Sequence, residues 1–145
     1  MGIEHNTGAL GHGLSVAVGL ALSKKIDQKT NKVFSLLGDG ELSEGSVWEA
    51  CTTASKYHLD NLIVIIDRND LQITGKTEEV NPIEPIDKKF ESFGFETIST
   101  SGNNISELLN VFKEIPIQKN KPTVCLLYTS PSPRDLSTSR MPSSA

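Results

Sequence analysis

Two stretches decide the fold: Val33-Phe34-Ser35-Leu36-Leu37-Gly38-Asp39-Gly40 and Leu62-Ile63-Val64-Ile65-Ile66-Asp67-Arg68-Asn69. Each is a short apolar run ended by small and polar residues, and the second is dense in β-branched side chains. Such runs read as buried strands. Between them, Ser43 to His58 places Val47, Ala50, Cys51, Ala54 and Tyr57 at helical spacing. Ser43 and Ser46 are candidate caps for that helix, and Ser46-Val47-Trp48-Glu49 has the form of a capping box.

The same alternation continues outward. Gly11 to Ile26 spaces Leu14, Val18, Ala21, Leu22 and Ile26 as one face of a helix. A polar stretch containing Gly75 and Pro82 reads as a long loop, and Asp87 to Phe93 as a short helix ended by Gly94. Phe95 to Ile98 reads as a third strand. Ser106 to Ile115 forms a further helix, with Asn103 or Asn104 near its start and Pro116 closing it. A fourth strand begins at Thr123. Strands alternating with helices call for an α/β fold, an open parallel sheet flanked by helices on both faces.

Composition bounds what such a domain does. The chain has 145 residues, enough for one domain, with 22% charged residues and a formal net charge of −4. No Lys/Arg block marks a nucleic-acid footprint. The longest apolar run, Leu62 to Ile66, is too short to cross a bilayer, so no membrane association is expected. Cys51 and Cys125 have no C-x-x-C partner, which excludes a cysteine-rich metal site and fits a reducing, cytoplasmic setting. The last 21 residues, Cys125 to Ala145, include six Ser, two Thr and three Pro. They read as a disordered tail, and their run also resembles translated sequencing-adapter read-through, a non-native segment. Function is therefore read from residues 1–124.

In an open parallel sheet, ligands bind beyond the carboxyl ends of the strands. Here one strand delivers Gly38-Asp39-Gly40 and the other Asp67-Arg68-Asn69, thirty residues from Asp39 to Asn69. Neighbouring strands would bring the Asp39 carboxylate and Asn69 amide oxygen to one edge, roughly 5–10 Å apart. A carboxylate, an amide oxygen and a backbone carbonyl make a partial set of hard oxygens. Mg²⁺ completes such a set with phosphate oxygens and water. The glycines beside Asp39 admit a phosphate to the backbone, and the helix opening near Ser43 aims N–H groups at an anion. The bland alternative is a tight turn at Gly38-Asp39-Gly40 and a turn-forming Asn69.

Other motifs fail. Gly8 to Gly13 has no strand before it and lacks the third glycine of a dinucleotide fingerprint, and Gly40 to Gly45 has P-loop spacing but Ser46 where Lys is required. Asp39, Glu41 and Ser43 suggest a calcium loop, but Glu44 stands at its glycine and Ala50 at its final Glu. His5, His12 and His58 share no metal-ligand spacing and have no visible nucleophile to serve, so each reads as a polar surface group or one that supports a site without touching the ligand.

Three blocks occur in order: Thr7-Gly8-Ala9-Leu10-Gly11-His12-Gly13-Leu14-Ser15, Gly38-Asp39-Gly40-Glu41-Leu42-Ser43-Glu44-Gly45, and Asp60-Asn61-Leu62-Ile63 through Asp67-Arg68-Asn69 to Gly75 and Thr77-Glu78-Glu79. Together they resemble the diphosphate-binding part of transketolase, especially the split form whose N-terminal portion is a separate polypeptide. The likeness covers residues 2–124 and implies a partial thiamine diphosphate domain there, truncated at both ends. It implies thiamine diphosphate and Mg²⁺ as cofactors, with Asp39, Asn69 and the Leu71 carbonyl as metal ligands. Gly40 would lie against the diphosphate, and Gly8, Ala9 and Leu10 would contact the cofactor. Glu44 would be a supporting acid at a dimer interface; its alternative is an acid favoured by the helix dipole. The implied activity is transfer of two-carbon ketol units between sugar phosphates in the pentose phosphate pathway. It needs a second copy in a dimer and a pyrimidine-binding domain or C-terminal transketolase subunit, so the fragment alone would be inactive. His12 and Ala9 depart from the family's common residues, Gln and Pro or Ser. Another thiamine diphosphate enzyme (a 1-deoxyxylulose-phosphate synthase or a dehydrogenase E1 component) and an inactive truncated translation are the rival readings.

Overall fold

The computed structural model describes residues 2–73 and 75–130. Helix α1 (His12–Ile26) leads to β1 (Val33–Gly38), a 3₁₀ turn (Asp39–Ser43), α2 (Gly45–Lys56) and β2 (Leu62–Arg68). A small hairpin of β3 (Leu71–Gln72) and β4 (Gly75–Lys76) follows, then the short helices α3 (Thr77–Val80) and α4 (Ile86–Ser92). β5 (Glu96–Ser101), α5 (Ile105–Glu114) and β6 (Thr123–Tyr128) complete the described chain.

Four strands form one sheet in the order β1-β2-β6-β5, and every pairing in it is parallel. Strand alternation divides the side chains between two faces. Leu37, Leu62, Val64, Ile66, Val124 and Leu126 join Leu14, Ala21, Val47, Cys51 and Phe90 from α1, α2 and α4 in the main core. On the opposite face Ile63, Ile65, Cys125 and Leu127 pack with Val111 and Phe112 of α5. The expected α/β class with helices on both faces holds. The second face is only partly covered, and Phe34 and Leu36 of β1 remain exposed there.

Local chemistry accounts for several boundaries. Asn104 caps α5: its Oδ1 accepts from the N–H groups of Ser106 (3.1 Å) and Glu107 (3.3 Å), and its Nδ2 donates back to Glu107 (2.7 Å). Gly94, at φ +86°, ends the α4 turn in the left-handed conformation suited to glycine.

Four expectations need correction. The stretch expected to be a single long loop holds the β3–β4 hairpin and α3. Ser46 does not build a capping box: α2 starts at Gly45 with no side-chain cap, and Ser46 Oγ donates to the Gly11 carbonyl instead, at 3.3 Å. Ser43 does not cap it either, because its Oγ accepts from Asn81 Nδ2 at 3.0 Å. Residues 125–128, assigned to the tail on composition, are the last four residues of β6 and pair with both β2 and β5. The remainder of that tail from residue 131 lies outside the described residues.

Candidate functional site

Gly38 and Asp67 are register partners on adjacent parallel strands, so the loops that follow them leave the same carboxyl edge of the sheet. Asp39 opens the 3₁₀ turn there, and Asn69 follows the end of β2. The loops touch directly: the Asp70 N–H donates to Asp39 Oδ2 at 3.0 Å.

Asp39 is fully buried. Its Oδ2 also accepts from Arg68 Nη1 at 2.6 Å, whereas its Oδ1 is buried without a hydrogen-bond partner among the described residues. A buried carboxylate oxygen left bare is costly, so Oδ1 is a hard anionic atom suited to a cation. Arg68 is likewise buried and collects three more carboxylates. Nη1 lies 2.8 Å from Asp70, Nη2 donates to Glu78 at 3.2 Å and Nε to Glu84 at 3.0 Å. Burial pulls the Arg68 pKa down, but hydrogen bonds to Asp39 and Glu84 and the charges of Asp70 and Asp39 outweigh it, and the pKa rises above its ordinary value. The guanidinium therefore stays charged.

Asn69 is half-buried. Its Oδ1 accepts from the Leu71 N–H at 2.9 Å, and its Nδ2 donates to Asp67 Oδ2 at 3.0 Å. These bonds fix which amide atom is the oxygen and leave Oδ1 one further lone pair. Leu71 starts the β3–β4 hairpin, whose Gln72 lies against Gly40. A Cβ on Gly40 would meet Gln72 Cγ at 3.0 Å, so a side chain here would press on the hairpin packed against it. The Gln72 Oε1 is a second buried oxygen without a partner among the described residues.

Gly8, Ala9 and Leu10 form an exposed turn before α1, closed by bonds from Ala9 N–H to Thr7 Oγ1 (3.1 Å) and from His12 N–H to the Ala9 carbonyl (3.3 Å). Glu41 and Ser46 bind this turn's end to the Asp39 loop. Glu41 accepts from the N–H groups of Gly11 and Gly38, and Ser46 from its place on α2 reaches the Gly11 carbonyl. Glu44 is exposed and sits just before α2, beside Gly11. His5, His12 and His58 are all exposed.

A divalent ion fits the chemistry of this edge. Among the described residues no group of three or more His, Cys, Asp or Glu side chains is placed to hold a metal. A donor set of one carboxylate, one amide oxygen and one backbone carbonyl would not form such a group. It matches a cation that is completed by phosphate oxygens and water.

Sequence reasoning missed Arg68, Glu41 and Gln72. For Arg68 a signal existed: it shares strand parity with Leu62, Val64 and Ile66, all on the helix-covered face, so its charge had to be buried and paired. Glu41 and Gln72 carry no comparable signal, because their partners come from other loops.

Residues 1–133 match the family described as transketolase, thiamine diphosphate binding domain. The chain is 48% identical over 129 residues to one subunit of the apulose-4-phosphate transketolase of Actinobacillus succinogenes, and 44% identical over 129 residues to the same subunit from Phocaeicola vulgatus. Each alignment covers 89% of this chain and 46% of the relative, so the chain spans about half the length of these relatives. Among solved structures it superposes on the transketolase of Campylobacter jejuni with a TM-score of 0.79 at 33% identity, covering 88% of this chain and 21% of that one. Transketolase from Leishmania mexicana gives 0.78 at 29% identity, covering 88% and 21%. With its blocks in order on a matching parallel sheet, the chain belongs to the transketolase thiamine diphosphate binding domain family.

Proposed function

We propose that this chain supplies the Mg²⁺- and diphosphate-binding edge of a thiamine diphosphate-dependent transketolase that moves two-carbon ketol units between sugar phosphates. The observation that carries this reading is Asp39: a fully buried carboxylate with Oδ1 bare, at a strand end touching the Asn69 loop. Asp39, Asn69 and the Leu71 carbonyl would hold the metal, Gly40 would lie against the diphosphate, and Gly8, Ala9 and Leu10 would border the cofactor. Bound thiamine diphosphate supplies a nucleophilic carbon and an electron sink for the transferred unit. The chain's own residues anchor and orient: Asp39 and Asn69 at the metal, the glycine loop at the phosphates, and Glu41 joining the two cofactor-facing segments.

Relatives named as one subunit of a transketolase support the existence of a partner polypeptide. We assign to it the pyrimidine-binding half and the acid that activates the aminopyrimidine, with Glu44 supporting at a dimer interface. The chain alone then gives no turnover. The binding unit comprises residues 1–124 extended by the strand residues 125–128. Two buried thiols suit a reducing cytoplasm. No helix among the described residues is long and apolar enough to cross a membrane.

Calorimetric titration of the full chain with thiamine diphosphate, with and without Mg²⁺, tests the reading. Saturable binding that requires Mg²⁺ and is lost in Asp39→Asn is expected. Binding unaffected by chelation or by Asp39→Asn would overturn it, as would ketol transfer by this chain alone for the partner assignment.

A further inference from the structure

We propose that Arg68 is a positioning residue of the metal and diphosphate site. It holds Asp39 by Oδ2 alone so that Oδ1 faces the cation, and it fastens residues 77–86 to the same edge. The inference rests on the reading of this edge as a Mg²⁺–diphosphate site.

A carboxylate can bind a cation through either oxygen or both. Here Arg68 Nη1 (2.6 Å) and the Asp70 N–H (3.0 Å) both engage Oδ2, and Oδ1 alone is left without a partner. Mg²⁺ demands near-octahedral geometry with short bonds, so a carboxylate fixed to one-oxygen coordination is already arranged for it. Charge makes the guanidinium necessary. Asp39, Asp70, Glu78 and Glu84 all lie within 3.2 Å of its nitrogens, and without it they would repel one another around a buried Asp39. Arginine's planar fork serves these directions at once, whereas a lysine ammonium is a point charge.

The same carboxylates close the neighbouring turn. Glu78 Oε1 also accepts from the Ile83 N–H at 3.2 Å, and Glu84 Oε2 from the Ile86 N–H at 2.9 Å. Arg68 thus sits between the metal ligand and the segment 77–86, so ligand binding and docking of that segment are coupled through one side chain.

The test titrates the full 145-residue chain with Mn²⁺ in the presence of inorganic diphosphate, reading free Mn²⁺ by electron paramagnetic resonance. Amide exchange of residues 77–86 is followed in parallel. Arg68→Met is expected to weaken Mn²⁺ binding about ten- to a hundredfold, and Arg68→Lys to restore only part of it. Bound Mn²⁺–diphosphate should slow exchange over 77–86 in the wild type and not in Arg68→Met. A purely structural role would lower the melting temperature yet leave Mn²⁺ affinity within about twofold of wild type in both variants, and that result overturns the assignment. If Arg68→Met does not melt cooperatively, the double variant Glu78→Ala with Glu84→Ala carries the test, since it keeps the Asp39 pair but cuts both ties to the segment. Ligand-induced protection over 77–86 should then be lost, and undiminished protection overturns the assignment. Failure of the wild-type chain to bind Mn²⁺–diphosphate sinks the functional reading and this inference together. Wild-type binding with indifferent Arg68 variants sinks this one alone.

Discussion

Glu41 Oε2 accepts a hydrogen bond from the Gly11 N–H at 3.0 Å, across thirty residues of sequence, while Oε1 accepts from the Gly38 N–H at 3.2 Å. One half-buried carboxylate thereby locks the turn before α1 to the loop after β1. Both N–H groups lie at backbone ends that regular structure leaves unpaired.

Glu41→Ala strands both donors and should cost about 1–3 kcal/mol of stability, read from urea denaturation. Amide exchange at Gly11 and Gly38 should accelerate together. Acceleration at Gly38 alone would mean that the link to Gly11 carries no energy.

Two glycines of the same helical region should respond in opposite senses. Gly11 sits at φ +77°, and a Cβ there would meet Ser46 Oγ at 2.6 Å and Glu44 Cβ at 2.7 Å. Gly11→Ala is therefore both strained and crowded, with an expected loss of about 1–3 kcal/mol. Gly19, inside α1, has open space where its Cβ would be. Gly19→Ala should add about 0.5–1 kcal/mol through helix propensity. Thermal melts of the two variants check the contrast, and equal shifts would contradict it.

The parts of the fold visible in the sequence are those whose signal is local. Val33 to Leu37 and Leu62 to Ile66 are legible as strands because each is a short, largely apolar run bounded by polar or small residues, and the second is dense in β-branched side chains. Their thirty-residue offset placed Asp39 and Asn69 on one edge, as the pairing of Gly38 with Asp67 bears out. The β3–β4 hairpin was illegible, since two-residue strands have no period to detect. Ser46 misled because Ser-x-x-Glu fits a cap locally, while its actual partner, the Gly11 carbonyl, is distant in sequence. The burial of Arg68 was legible in its strand parity, but its partners were not: Asp39, Glu78 and Glu84 meet it only after β1, β2 and the 77–86 segment have assembled.

Cys51 and Cys125 are buried free thiols whose pKa values burial pushes up to about 12 and about 11, from an ordinary 9.0. Below pH 9 both are protonated in the folded and unfolded chain, and their contribution to stability is fully present. As pH rises from 9 toward 11–12 the unfolded chain releases protons that the native chain retains. Stability should then fall by about 1.4 kcal/mol per pH unit for each thiol. Cys51→Ala should roughly halve that decline, measured by denaturation at pH 9 to 11. At pH 8 neither thiol should react with a disulfide reagent until denaturant is added, and rapid modification of the native chain would contradict the burial.

Phe90 is the fully buried centre of an aromatic cluster, 5.2 Å from Trp48 and 5.5 Å from Phe95 between ring centroids. It comes from α4, Trp48 from α2 and Phe95 from the residue before β5, so this ring joins three elements on the helix-covered face. Phe90→Ala would leave a cavity that neither neighbour can fill, because Trp48 is held by its Nε1–H donating to the Leu42 carbonyl at 3.0 Å. The expected loss is about 3–5 kcal/mol, a large part of a small domain's stability. Phe93 stacks on the outer side of Trp48 at 5.5 Å and is only partly buried, so Phe93→Ala should cost less. Trp48 is the single tryptophan, and its emission reports both changes. A shift to longer wavelength together with a lowered urea midpoint is expected for Phe90→Ala. A midpoint lowered as much by Phe93→Ala would move the centre of the cluster from α4 to the α4–β5 turn.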